Sequence, residues 1–220
     1  MNLTRAFSFA FDDPDWWQFV LVLGLLQAVP LVGQLAALGS ILLTARAVAN
    51  GNEWPMPRLH QVGAVLGEGL NGALLCIIYY LPLFIIVCLA SCCIVAALII
   101  TGNNAPPIVP LIVLAFCLNM LLMPLAFILQ ILLITGSGYY VATGTVESAL
   151  QVNSVLAIFR QNPAEWLVLW LLSILCNVFA GIGLFGLGIG ALFTTAYAAL
   201  VFGHLLGQTV RQVSLRSRSL

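Results

Sequence analysis

The chain has 220 residues, 62% hydrophobic and 6% charged, with zero formal net charge. Soluble domains carry about 25% charged residues, so a water-soluble globule is excluded, and the balanced charge leaves no basic surface for nucleic acid. The apolar sequence suffices for roughly four to six spans of a ~30 Å hydrocarbon core, so a single membrane domain over residues 1–220 is expected, with the lipid bilayer as its first partner.

Residues 1–15 are a polar N-terminus. Arg5 is followed by Asp12, Asp13 and Asp15, and the apolar run behind them does not end at a cleavage site, so no cleavable signal peptide is expected. From Trp16 to Ala49 the sequence is apolar and would make one helix of about 51 Å. Pro30 and Gly33 interrupt it. Residues 16–49 are therefore read as a broken helix or as a hairpin of Trp16–Val29 and Leu31–Ala49.

Residues 50–60 have the composition of a loop, with Asn, Gly and two prolines. A central long hairpin follows over residues 60–138. It carries no Asp, Glu, Lys, Arg or His from Gly69 onward, a silence that lasts to Val146. Thr101–Pro107 is its turn, and Gly136-Ser137-Gly138 its expected end. Pro82 and Pro124 are equidistant from Asn103, which puts both at one depth, about 31 Å from the turn by helix rise.

Residues 145–161 read as an amphipathic helix in the membrane interface. Val152, Val155, Leu156 and Phe159 recur at helical spacing among Glu147, Gln151, Asn153 and Arg160. A C-terminal hairpin over 163–211 has Trp166 and Trp170 at its start, glycines from Gly181 to Gly190 at its turn, and Ala191–Val210 as its last span. Residues 212–220 form a basic tail suited to anionic headgroups.

Phe11, Pro14 and Trp16 before the first apolar stretch resemble Phe159, Pro163 and Trp166 before the fifth span. This internal repeat favours six crossings, with five as the alternative. Six crossings place all seven arginines on one side. The positive-inside rule makes that side cytoplasmic, with both termini on it. The fold class expected is thus an all-α polytopic bundle plus an interfacial helix.

The sharpest pattern is a stripe on the last span: Ala191, Thr195, Ala199, Gly203 and Gly207 recur every four residues. Small residues at this spacing let helix backbones approach closely in lipid. The partner helix belongs either to this chain or to another subunit. His204 lies between the two glycines. Its functional readings are a haem or chlorin ligand, a proton relay or a polar hinge; its plain reading is a histidine near the interface hydrogen-bonded to a neighbouring helix or loop. Glu68 and His204 are the ionisable candidates in the spans, both near span ends. Asn119 and Asn177 are polar candidates that more often serve as helix–helix glue.

Six cysteines all lie in apolar runs and read as small buried hydrophobes. No nucleophile–base set, paired carboxylates or phosphate loop is legible. No catalytic, cofactor or metal site is therefore expected, and the protein reads as a non-enzyme.

FSFAFDDPDWW at the start, GNEWPMPRLHQVGAVLGEGL after the first loop, YYLP at 79–82 and HLLGQTVRQ near the end together resemble the prokaryotic membrane family called domain of unknown function 4013. The resemblance implies a polytopic helical protein of the cytoplasmic membrane and supplies no catalytic residues. From the residues, the leading expectation is an accessory, assembly or scaffold subunit that packs with other membrane helices or with itself. The alternative is a permease or channel for a neutral or apolar small solute, with a path near Asn119, Asn177 and His204.

Overall fold

In lipid no water is at hand to satisfy backbone polar groups, so an uncharged chain of this length must bond to itself locally, as helix. The structure is a computed structural model that describes the backbone of residues 2–101, 108–185 and 189–217; side chains of 97–101, 108–115, 184, 189 and 215–217 fall outside the description. Among the described residues there are nine α-helices and no strand: α1 (Leu3–Asp12), α2 (Trp16–Gln27), α3 (Pro30–Ala49), α4 (Val62–Thr101), α5 (Ile108–Thr143), α6 (Val146–Leu150), α7 (Val152–Gln161), α8 (Pro163–Ile182) and α9 (Ile189–Ser217). The chain is an all-α membrane bundle. Five of these helices, α3, α4, α5, α8 and α9, are long and apolar enough to cross a membrane.

The polar N-terminus is itself a helix. Asn2 caps α1 by accepting from the Arg5 amide, and α1 is amphipathic, burying Ala6, Phe9 and Ala10. A Tyr197 hydroxyl bond to the Phe7 carbonyl ties it to α9. The break expected between residues 16 and 49 is present. Pro30 begins α3, where its missing N–H costs nothing, and Gly33 lies so close to α2 that a Cβ there would sit 2.5 Å from Gln27 Cα. α2 has 12 residues, about 18 Å of helix, too short to cross alone. Residues 16–49 are thus two segments, with α2 as a short arm folded onto α3 and α9, and the N-terminus lies at the end of α9 that carries Gln208.

The bundle is built around α3, which packs most extensively against α4 and α9. A Cβ on Gly39 would overlap the Val65 carbonyl, and one on Gly69 would overlap that of Leu35. These partners run in opposite order, so α3 and α4 are antiparallel. On the other side Gly203 meets Ile41 and Gly207 meets Ala45. Here the numbers rise together, so α3 and α9 are parallel.

The element order carries the repeat. An amphipathic helix of 10 residues precedes two apolar helices in both α1–α2–α3 and α7–α8–α9. The third members of the two sets are the parallel pair at the centre.

Three boundaries differ from the sequence reading. Gly136-Ser137-Gly138 does not end a helix but lies inside α5. A Cβ on Gly136 would overlap Tyr79, and one on Gly138 would lie 2.5 Å from Trp166, so these glycines serve close packing, not termination. Residues 145–161 are two helices, broken at Gln151. Val155 of α7 is fully buried, with Leu156 and Phe159 partly so, while Val152 is exposed. Trp166, at the start of α8, is buried in the core. α9 continues through Ser217, so the described part of the basic tail is helix. The turn at 102–107 and its Asn103 lie outside the described residues, as do 186–188 of the glycine turn and 218–220 of the tail.

Gly39 and Gly67 give a paired test of this architecture. A Cβ at Gly67 meets nothing within 4 Å. Gly39→Ala is expected to lower stability by about 1–3 kcal/mol through overpacking. Gly67→Ala is expected to be neutral or stabilising by up to about 1 kcal/mol through helix propensity. Thermal unfolding of the two variants in one detergent measures the difference.

Candidate functional site

The polar side chains gather mainly in three places. The first joins α3, α4 and α5. Arg46 Nη1 donates to Glu68 Oε1 at 2.7 Å, and the Tyr140 hydroxyl donates to Glu68 Oε2 at 2.5 Å while accepting from Asn71 Nδ2 at 2.9 Å. The Arg46 guanidinium also lies 5.4 Å from the Tyr140 ring centroid. Each carboxylate oxygen of Glu68 is thus met by a donor from another helix, which offsets the cost of placing a charge inside a span. Sequence reading singled out Glu68 but missed Arg46 and Tyr140. Arg46 had a signal, being a lone charge in the apolar stretch 16–49; Tyr140 had none, since its partners come from distant helices.

The second place surrounds His204. The ring is 5% exposed and stacks on Phe9 of α1 with centroids 4.5 Å apart. Gln208 Nε2 lies 3.1 Å from His204 Nδ1, and Gln208 is held in turn by the Asn2 N–H at 2.7 Å and the Asn2 carbonyl at 3.2 Å. Because Gln208 Oε1 accepts from Asn2, its nitrogen is the end that faces His204 and donates there. This is the plain reading of His204, a histidine bonded to a neighbour. The ring borders an open hollow of about 760 Å3 between α1, the loop after α3 and the end of α9.

Nearby, Arg58 in that loop donates to Asp13 Oδ1 at 2.9 Å and lies 3.5 Å from Asp15. Asp13 is 2% exposed and also accepts from the Asp15 N–H. This pair pins the α1–α2 junction to the loop before α4.

The third place is a groove of about 280 Å3 within the spans, bordered by Gln34 of α3, Gln130 of α5, and Ser173 and Asn177 of α8. Gln130 accepts from Trp170 Nε1 and Asn177 donates to the Ser173 carbonyl. Thr195 and Ala199 of the stripe line the same groove, while Ala191 lies against Gly183 at the α8–α9 turn. Gly203 and Gly207 face α3 of the same chain, so Leu at either position would strike its backbone before reporting on any assembly.

The expected path through Asn119, Asn177 and His204 is not a single feature. Asn177 borders the groove and His204 the end hollow, while Asn119 sits exposed on the far part of α5.

That far part is distinctive. From Leu81 to Ala96 on α4, and from Phe116 to Ile128 on α5, no side chain is buried. Both stretches contain their helix's proline, Pro82 and Pro124. Cys88, Cys92, Cys93 and Cys117 are exposed on this arm, whereas Cys176 is buried in the bundle.

Removing a member of the Glu68 set tests its structural weight. Tyr140→Phe takes one donor from Glu68 and the acceptor from Asn71, at an expected cost of about 1 kcal/mol; Glu68→Ala leaves Arg46 unpaired and is expected to cost about 1–3 kcal/mol. Glu68→Ala with Arg46→Met should recover part of that loss. A double-mutant cycle on thermal unfolding in detergent reads all three.

No curated protein and no solved structure matches the chain. A family model described as "Protein of unknown function (DUF4013)" matches residues 22–194, from α2 to the first turns of α9. The matched region takes in the α3–α4 contact and the described arm but stops before Gly203 and Gly207, and the chain belongs to the DUF4013 family.

Proposed function

We propose that this protein is a non-enzymatic accessory, assembly or scaffold subunit of a prokaryotic cytoplasmic membrane. In this reading its arginine-bearing end is cytoplasmic and the far α4–α5 arm packs against transmembrane helices of other subunits. One observation carries the reading: two long helices run from Leu81 to Ala96 and from Phe116 to Ile128 without burying a side chain. Lipid accepts apolar exposure, so burial there gains nothing from the hydrophobic effect. What helices gain in lipid is close packing, interhelical hydrogen bonds and released lipid. An arm with no buried side chain among its described residues leaves that gain open to a partner helix. Phe84, Leu89, Phe116 and Leu121 are the large side chains it would present.

The arm's own cysteines supply the test. Variants keeping only Cys92 or only Cys117 are labelled with benzophenone maleimide in native membranes and irradiated. Adducts with another membrane protein are expected at one or both positions. Lipid adducts alone at both would overturn the proposal.

A permease for a neutral solute is the second reading, favoured by the amide-bordered groove at Gln34, Gln130 and Asn177. It predicts that proteoliposomes swell in a small neutral polyol and that Gln130→Leu with Asn177→Leu removes the swelling. Equal rates with and without the protein would dismiss it.

A further inference from the structure

The hollow beside His204 has walls of both signs. Arg5 and Asp12 come from α1, Glu53 from the loop after α3, and Arg211 from α9. None of these four takes part in the ion pairs among the described residues, which use Arg46, Arg58, Asp13, Asp15 and Glu68. Two cations and two carboxylates thus border one hollow without meeting across it.

The wall behind them is tied together by stacking and hydrogen bonds. His204 is almost fully buried, stacked on Phe9, and its Nδ1 is occupied by Gln208, which Asn2 holds from two sides. With Nδ1 accepting, a neutral ring carries its proton on Nε2. Two guanidinium groups and two carboxylates therefore border, with His204 in the wall, a space far larger than a water molecule. The loop wall is shaped by Gly51, whose φ of 78° is a backbone conformation that favours glycine. It lies under the Arg211 guanidinium, 3.7 Å from where its Cβ would be.

The geometry points to a binding site for a zwitterion that carries both an anionic phosphate or carboxylate and an ammonium group. Arg5 and Arg211 receive the anion, because a guanidinium fork matches two oxygens at once. Asp12 and Glu53 receive the ammonium. A purely anionic ligand would meet two carboxylates and a purely cationic one two arginines, so each half alone is opposed. The same chemistry has two sources, a phosphoethanolamine lipid headgroup or a free solute. The position at the end of the spans suits both, since headgroups and water meet there.

The test uses the full chain purified in mild detergent. Phosphoethanolamine, inorganic phosphate and ethanolamine are titrated separately by calorimetry. In parallel, the chain is extracted from vesicles of equal phosphatidylethanolamine and phosphatidylglycerol for native mass spectrometry. A free-solute site shows phosphoethanolamine binding at least about tenfold tighter than either half. A lipid site shows retention of phosphatidylethanolamine over phosphatidylglycerol. In either case Arg211→Gln should weaken binding about tenfold, the weight of one charge-assisted hydrogen bond. Asp12→Asn with Glu53→Gln should erase the preference over phosphate or over phosphatidylglycerol. All four side chains are exposed, so these variants should melt with the parent. Phosphate binding as tightly as phosphoethanolamine, or no saturable binding together with no lipid preference, would overturn the assignment.

Discussion

Everything in this bundle depends on how closely α4 and α9 approach α3. Gly39 and Gly69 bring α4 to backbone contact on one side, and Gly203 and Gly207 bring α9 to it on the other. Between membrane helices the drive to associate comes from packing rather than from escape from water. A side chain at any of these glycines would push the helices apart where that packing is densest. The small-residue stripe on α9 is therefore an internal device in its glycine half. Its other members, Thr195 and Ala199, open into the amide-bordered groove instead.

The close approach of α3 also decides where charge can be kept. Arg46 near the end of α3 reaches Glu68 of α4 only because the two helices touch a few residues away. Tyr140 and Asn71 then complete the carboxylate's donors. The pair remains partly exposed, 30% and 19%, so its worth lies as much in fixing helix register as in binding energy. Asp13 and Arg58 do similar work at the α1–α2 junction. Between these two anchored pairs α1 lies against the end of α9, and the charged hollow beside His204 is the space their arrangement leaves.

The two ends of the molecule differ in chemistry. The arginine-bearing end holds the salt bridges, the stacked histidine and the hollow. The α4–α5 arm beyond Pro82 and Pro124 has neither charge nor a buried side chain among its described residues. Proline in a helix interior removes a backbone bond and strains the preceding turn, and the prolines fall close to where each helix leaves the bundle. Tyr79 is the last buried residue before Pro82, and Ile134 the first after Pro124.

Much of this was legible in the sequence, and the reason is the solvent. A chain without charge from Gly69 to Val146 has one way to satisfy its backbone, so helices, their approximate ends, the break at Pro30 and the α4–α5 pairing follow from composition and spacing. The repeat before Trp16 and Trp166 was legible too, and the two three-helix sets carry it. Element length and contact were not. Gly136-Ser137-Gly138 looks like a stop in sequence because glycine weakens a helix; only the arrival of Tyr79 and Trp166 explains why it continues. By itself the sequence determined that this protein is a helical membrane bundle of one family, and which residues are small enough for close packing. Tertiary structure alone decided that α3 is the partner of the α9 glycines, that Arg46 and Tyr140 complete Glu68, and that His204 faces a charged hollow. Each of those facts joins side chains tens to hundreds of positions apart, and local sequence preference carries no signal for contacts made only when distant helices meet.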